Sequence, residues 1–332
     1  MRAVVCETFD GLQSLTVREV DKPAFGPPGV PGAAARDVRI RVHAAGINFA
    51  DTLIVQGKYQ LKPALPFSPG MEVAGEVTEV ADGVTSVQVG QRVMANVLFG
   101  GYAEEVVAPA NCVYAIPDSM DWASAAAFPI AYGTSHVGLV ERANLQAGEF
   151  LVVHGAAGGV GLTAVEIGKY LGATVIASAG GPEKLEIARQ HGADHLIDYT
   201  KENVRDRVKE LTGGLGAHVI YDPVGGDLFN DSVRCTRPGG RMLIIGFAGG
   251  KVQEIPANLL LVKNITAIGY TFEGLRTLFP DMIRRSMEEL LSWYASGDLK
   301  PHVSHTFALE DVQEALTTLV ERRSTGKIVL TV

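Results

Sequence analysis

The sequence predicts an α/β protein in which a doubly wound parallel-sheet domain accompanies a β-rich domain, and three observations predict it. From about residue 125 onward, short apolar runs alternate with helix-like runs, the pattern of repeated βα units. Before that point the runs are short, β-branched and bounded by Gly, Asp or Pro, as in a small barrel or partly open sandwich. The length of 332 residues suits two domains of ordinary size.

In the first domain Asp37-Val-Arg-Ile-Arg-Val-His alternates polar and apolar residues, as a half-buried strand does. Val73-Ala-Gly-Glu-Val-Thr-Glu-Val and Gln91-Arg-Val-Met-Ala-Asn-Val read as further strands, and the Pro- and Gly-rich stretch 23–32 reads as a surface loop. In the second domain, strands are expected at 150–154, 174–179, 195–199, 218–222, 241–246 and 265–270. Helices fall between them, through Leu171, over 182–191 with Pro182 in the first turn, and over 201–211. The chain ends in helices and a last strand, Lys327-Ile-Val-Leu-Thr-Val. The expected division is 1–124 with 271–332 for the β-rich domain, the tail packing back onto it, and 125–270 for the doubly wound domain.

Composition narrows the function. Hydrophobic residues make up 47% and charged ones 20%, which excludes disorder as the main state. A net charge of −8 argues against a broad nucleic-acid or anionic-membrane surface. Cys6, Cys112 and Cys235 form no disulfide framework, and no apolar run reaches signal-peptide or membrane-spanning length. The expected address is the cytoplasm.

The strongest chemical signal follows the strand at 150–153: His154-Gly-Ala-Ala-Gly-Gly-Val-Gly161. Aligned on GxGxxG, Ala156 takes the first position, and Gly158 and Gly161 the second and third. Gly158 lets the backbone approach a pyrophosphate, and Gly161 lets the helix lie close to the sheet. The amides of Ala157, Gly159 and Val160 complete the expected cradle at a helix N-terminus. A ligand-free Gly-rich turn is the other account. It is weakened because this loop joins a strand to a helix and further βα units follow.

An NAD site wants a carboxylate about 20 residues beyond the loop. Here Ser178-Ala-Gly-Gly181 stands there, with Lys184 following. The missing acid favours NADP: Ser178 and the Gly180 and Gly181 amides offer donors to a 2′-phosphate, and Lys184 offers charge. The competing account of Lys184 is a solvated charge in the first turn of a helix.

These residues resemble a family. Ala45-Gly-Ile-Asn-Phe-Ala-Asp51, Pro69-Gly-Met-Glu-Val-Ala-Gly75, Phe128-Pro-Ile-Ala-Tyr-Gly-Thr134 and the Gly loop look like the zinc-free medium-chain dehydrogenase/reductases, nearest the NADPH:quinone oxidoreductases of the zeta-crystallin type. The likeness covers essentially the whole chain and implies a Rossmann cofactor domain plus a GroES-like catalytic domain. Zinc-dependent members carry Cys where Asn48 stands and His where Met71 stands, together with a lobe of four close cysteines. Glu72 survives alone, so no metal site is expected.

The resemblance places Asn48 and Asp51 on the acceptor side of the nicotinamide pocket, with Tyr59 as a further donor or aromatic wall. It places Thr134 at the nicotinamide, Tyr199 at the adenine, Phe247 at the carboxamide, and Arg322, Arg323 and Lys327 where the tail meets the cofactor. For the Asn and Asp, local turn capping is the plainer role. For Tyr59 and for at least two of the three tail cations, it is a surface position. Leu53 departs from the Tyr common in related quinone reductases.

The activity so implied is hydride transfer from NADPH to a quinone without zinc. The alternative is an NADPH-dependent reductase of an enal, enone or enoyl thioester. From another class, zeta-crystallin-like chains serve as lens proteins and some bind AU-rich RNA, a reading the net charge disfavours. A homodimer is expected, because residues 259–269 end in an apolar edge strand.

Overall fold

The computed structural model describes residues 1–26 and 37–332, so most of the loop expected over 23–32 lies outside the described residues. The chain forms two compact units, Met1–Ile130 with Pro301–Val332, and Ala131–Lys300.

In the first unit β1 (Arg2–Val5) and β2 (Thr16–Glu19) make a separate antiparallel ribbon. The spine of the seven-stranded sheet is β3 (Val38–Ile47), which runs directly into α1 (Phe49–Ile54). It pairs antiparallel with β4 (Glu72–Val80), which pairs in turn with β5 (Arg92–Asn96). The β3–β4 register sets Arg39 opposite Glu79 and Arg41 opposite Glu76, so opposite charges line the outer face while Val38, Ile40 and Val42 enter the core. Next come β6 (Glu105–Ala108), which pairs with β3, and β7 (Val113–Ala115), which pairs with β5. Helix α2 (Trp122–Ala126) follows in the first unit; α3 (Pro129–His136) begins there and, with the π-helical turn Val137–Arg142 after it, lies mostly in the second unit.

The second unit alternates β8 (Phe150–His154), α4 (Gly159–Tyr170), β9 (Thr174–Ala179), α5 (Pro182–Gln190), β10 (His195–Asp198) and α6 (Val204–Leu211). It continues with β11 (Ala217–Asp222), α7 (Leu228–Cys235), β12 (Thr236–Ile244), α8 (Ala257–Lys263) and β13 (Thr266–Gly269). The six strands are parallel, in the order β10-β9-β8-β11-β12-β13. This is the doubly wound order, with its switch point between β8 and β11. Val152, Ile176, Ile220 and Phe229 belong to the core of this sheet, which accounts for near-continuous apolar strands.

The expected tail divides. Two helices, α9 (Phe272–Leu278) and α10 (Pro280–Ala295), belong to the second unit, so 271–300 does not join the β-rich domain. Ile283 and Leu275 pack with Val137, and Ser286 Oγ lies 2.8 Å from His136 Nδ1. Only the last stretch returns: β14 (Val303–Ala308), α11 (Val312–Val320) and β15 (Lys327–Thr331). β15 pairs antiparallel with β3, with Ile328 opposite Ile47, and this register sets Lys327 beside Asn48.

Candidate active site

The loop between β8 and α4 turns at Gly155, whose φ of +57° suits glycine. The left-handed residue is therefore Gly155, and Ala156 serves at the first glycine position of the pattern because no positive φ is asked of it. The Ala156 amide donates to Ser178 O at 3.1 Å and the Gly158 amide to Gly155 O at 2.9 Å. A Cβ at Gly161 would stand 2.2 Å from Gly155 O, so the helix reaches this loop only with glycine there. Exposed Gly158 caps α4 without a side-chain bond, leaving the first-turn amides open to an anion. Ala157 is buried, and Gly159 and Val160 are half-buried.

A cluster of hydroxyls that the sequence did not reveal holds this loop from behind. Ser135 Oγ donates to Val160 O at 2.8 Å and lies 2.8 Å from both Thr163 Oγ1 and Tyr221 Oη. Neighbouring Thr134 is buried, and its carbonyl accepts the Tyr270 hydroxyl at 2.7 Å.

The rim beyond β9 differs from expectation in two places. Ser178 is wholly buried with its Oγ enclosed, and it serves the loop through its carbonyl rather than as an outward hydroxyl. The Gly181 amide donates to Asp198 Oδ1 at 3.3 Å, an oxygen that also accepts from the Thr200 amide and hydroxyl. Gly180 therefore remains the amide donor of the pair. A Cβ on Gly180 would stand 2.8 Å from Tyr199 Oη, so that ring lies over bare backbone. Lys184 sits half-buried in the first turn of α5. Phe247 is exposed in the loop after β12, which is joined to the loop after β11 by Ala248 N–H to Pro223 O and Gly249 N–H to Val224 O.

In the first unit the end of β3 builds a polar centre inside an apolar core. Lys327 Nζ, almost entirely buried, donates to Ile47 O at 2.5 Å and Asn48 Oδ1 at 2.7 Å and pairs with Glu72 Oε1 at 2.8 Å. Asn48 Nδ2 donates to the same Glu72 oxygen at 2.8 Å, and the Ile130 amide donates to Glu72 Oε2 at 2.8 Å. Gly46 makes room, since a Cβ there would lie 2.6 Å from Glu72 Oε1. Lys327, which the resemblance places at the cofactor, here turns two hydrogen bonds and an ion pair inward, to Ile47 O, Asn48 Oδ1 and Glu72. Arg322 and Arg323 are exposed, and Arg323 pairs with Glu321.

Asp51, expected at the acceptor, is fully buried and acts locally. Its Oδ2 accepts the Asn48 backbone N–H at 2.8 Å and the Tyr102 hydroxyl at 2.8 Å, the reach-back half of a capping box. Tyr59 is half-buried and packs on the first unit's core. Of Asn48, Asp51, Glu72, Tyr102 and Lys327, Asn48 alone is half-exposed, so it is the member able to touch a ligand.

Burial pushes the Asp51 carboxyl up to about 6; the Asn48 amide, Tyr102 and Lys327 pull it down, and Glu72 pushes it up. The ordinary value is 3.8, so between these limits the folded protein holds more protons than the unfolded chain, and acid favours folding through this group. The stability of wild type relative to Asp51→Asn is expected to rise by about 3 kcal/mol from about pH 8 to about pH 3. Urea unfolding across that range checks it; a flat difference would place Asp51 in an ordinary environment.

Comparison with known proteins agrees with this architecture. Residues 34–118 match the family model described as alcohol dehydrogenase GroES-like domain, and residues 159–292 match the one described as zinc-binding dehydrogenase. The chain is 44% identical over 295 residues to quinone oxidoreductase-like protein 2 homolog of Nematostella vectensis, covering 88% of this chain and 81% of that protein. It is 38% identical over 304 residues to a quinone oxidoreductase of Pseudomonas aeruginosa, covering 91% and 93%. The Escherichia coli quinone oxidoreductase solved in complex with NADPH superposes with a TM-score of 0.90 at 30% identity, covering all of both chains. With a doubly wound unit, a GroES-like unit and relatives of this kind over most of its length, the chain belongs to the medium-chain dehydrogenase/reductase family of oxidoreductases.

Proposed function

We propose that this protein reduces quinones with NADPH by hydride transfer and works without zinc. The observation that carries the reading is the buried ammonium of Lys327 against Glu72 and Asn48, at the residues where zinc-dependent members of the family keep metal ligands. Zinc asks for about three side-chain donors of the Cys, His or carboxylate kind. Asn48 Nδ2 instead donates to Glu72 and the Lys327 ammonium pairs with it, and a fixed cation repels a second one. The residues do not fit zinc, and no step runs through a metal.

They do fit NADPH. The amides of Ala157, Gly159, Val160, Gly161 and Gly180, the charge of Lys184, the Tyr199 ring, Phe247 and Thr134 are the groups that would hold it, with Gly158 bare beside the pyrophosphate and in the cradle that a Cβ at Gly161 would close. When bound, NADPH supplies a hydride. Asn48 orients and polarises the acceptor oxygen, Asp51 fixes the Asn48 backbone, and Tyr59 forms an apolar wall. A quinone is already a good hydride acceptor, so hydrogen bonds suffice in place of a Lewis acid.

A second reading, reduction of an α,β-unsaturated carbonyl, is favoured by Leu53, a half-buried apolar residue where related quinone reductases carry Tyr. Comparing kcat/KM for a benzoquinone, an enal and an acryloyl thioester separates the two. The quinone is expected to lead, with NADPH preferred to NADH by about tenfold or more for want of an acid after β9. No NADPH oxidation with any acceptor would sink the reading.

The proposal extends to a cytoplasmic homodimer. β13 is an edge strand, and neighbouring α8 exposes Leu261 at 77% and Val262 at 71%. Among the described residues no helix is long and apolar enough to cross a membrane. Monomers in light scattering at micromolar concentration would contradict the dimer.

A further inference from the structure

We propose that Lys327 is a positioning residue: its ammonium is a built-in cation that fixes the Asn48 amide and polarises it toward the acceptor oxygen. The inference rests on the reductase reading above and assigns a role to a residue that touches neither acceptor nor cofactor.

The ammonium donates to Ile47 O and Asn48 Oδ1 and forms an ion pair with Glu72 Oε1 at 2.8 Å. The Asn48 amide accepts from Lys327 through its oxygen and gives one N–H to Glu72, so a second N–H remains for a ligand. Asn48 Oδ1 facing a cation and Nδ2 facing an anion fix which end of the amide is which. The amide cannot flip without setting its oxygen against Glu72 and its NH₂ against Lys327. Drawing electron density toward Oδ1 also makes the remaining N–H a stronger donor. That donor suits an acceptor oxygen gaining negative charge during reduction, the work a metal performs in zinc-dependent relatives.

The placement is specific. Glu72, Asp51 and Tyr102 are fully buried and Lys327 almost so, whereas Asn48 is half-exposed, so the charges act outward through one amide. The β15–β3 register brings a lysine from the far end of the chain to this point, and Gly46 clears the space that Glu72 occupies.

Two arms test it. Lys327→Met alone leaves the Glu72 charge unpaired and is expected to lose stability. The neutral double variant, Lys327→Met with Glu72→Gln, is expected to regain thermal stability and an NADPH dissociation constant within about twofold of wild type. Its kcat for a benzoquinone is nevertheless expected to stay about 10–100-fold low, the usual range for a supporting partner of a catalytic group. A kcat within about twofold of wild type would reduce Lys327 to charge balance and overturn the role. An NADPH dissociation constant raised about tenfold would return Lys327 to the cofactor and overturn it equally.

The second arm needs no turnover. In Lys327→Ala, methylammonium is expected to raise the melting temperature where tetramethylammonium at equal concentration does not, because only the smaller ion has N–H groups to donate to the oxygens there. No selective shift would show that no ammonium seat exists. If wild type reduces no acceptor but methylammonium binds selectively, the reductase reading fails while the seat stands.

Discussion

Replacing Glu72 by alanine is expected to cost about 3–5 kcal/mol of stability, the usual penalty for removing one partner of a buried ion pair. Glu72 is fully buried; its carboxylate pairs with the Lys327 ammonium and accepts from Asn48 and the Ile130 amide. Without it the Lys327 ammonium stays enclosed with two neutral oxygens, and the Asn48 amide and Ile130 N–H lose their acceptors. Each orphaned donor adds to the loss. Urea unfolding at neutral pH measures it. A loss below about 1 kcal/mol would describe a solvated surface pair rather than the buried centre seen here.

Gly161→Ala is expected to raise the NADPH dissociation constant by about 100-fold or more, since the added carbon forces α4 away from the loop that its amides serve. The ideal Cβ would lie 2.2 Å from Gly155 O and 2.8 Å from Gly155 C, and both are backbone, so no side chain can swing aside. Gly158→Ala makes a useful comparison. Its Cβ would lie 3.3 Å from the same oxygen, a contact that a small shift relieves. Its effect should come through approach to the pyrophosphate and be milder. Fluorescence titration with NADPH measures both; a change below about threefold at Gly161 would contradict the tight helix–loop contact.

The doubly wound unit was legible because its strands are short apolar runs closed by turns: β8 and β9 fall at the residues their patterns indicate. Helices α9 and α10 were legible as helices but not by address. A helical pattern shows which face is apolar, and only packing of Ile283 and Leu275 with Val137 shows where that face goes. In the Gly loop the spacing was legible, while the left-handed turn at Gly155 was not, since several adjacent glycines can each bear it.

At the polar centre, Asn48 and Asp51 were marked by a recognisable stretch of sequence. Their actual partners were hidden by distance along the chain: Lys327 lies 279 positions from Asn48, and Tyr102 lies 51 from Asp51. Lys327 opening an apolar strand was the available signal. A charge at the head of a buried strand asks for a buried partner, and Glu72, the one ligand-type residue left where zinc-dependent relatives hold metal, is that partner. The hydroxyls of Ser135, Thr163 and Tyr221 carried no such mark, because each is an ordinary residue until the fold brings them together.

The proposed reaction is hydride transfer from NADPH to a conjugated acceptor with Lys327, not a metal, beside Asn48. Single-turnover oxidation of NADPH deuterated at C4, by protein dialysed against chelator and assayed for metal, tests it most directly. The expected result is a primary isotope effect with a benzoquinone and a rate unchanged by chelation or by added zinc. Loss of the reaction on chelation, restored by zinc, would contradict it.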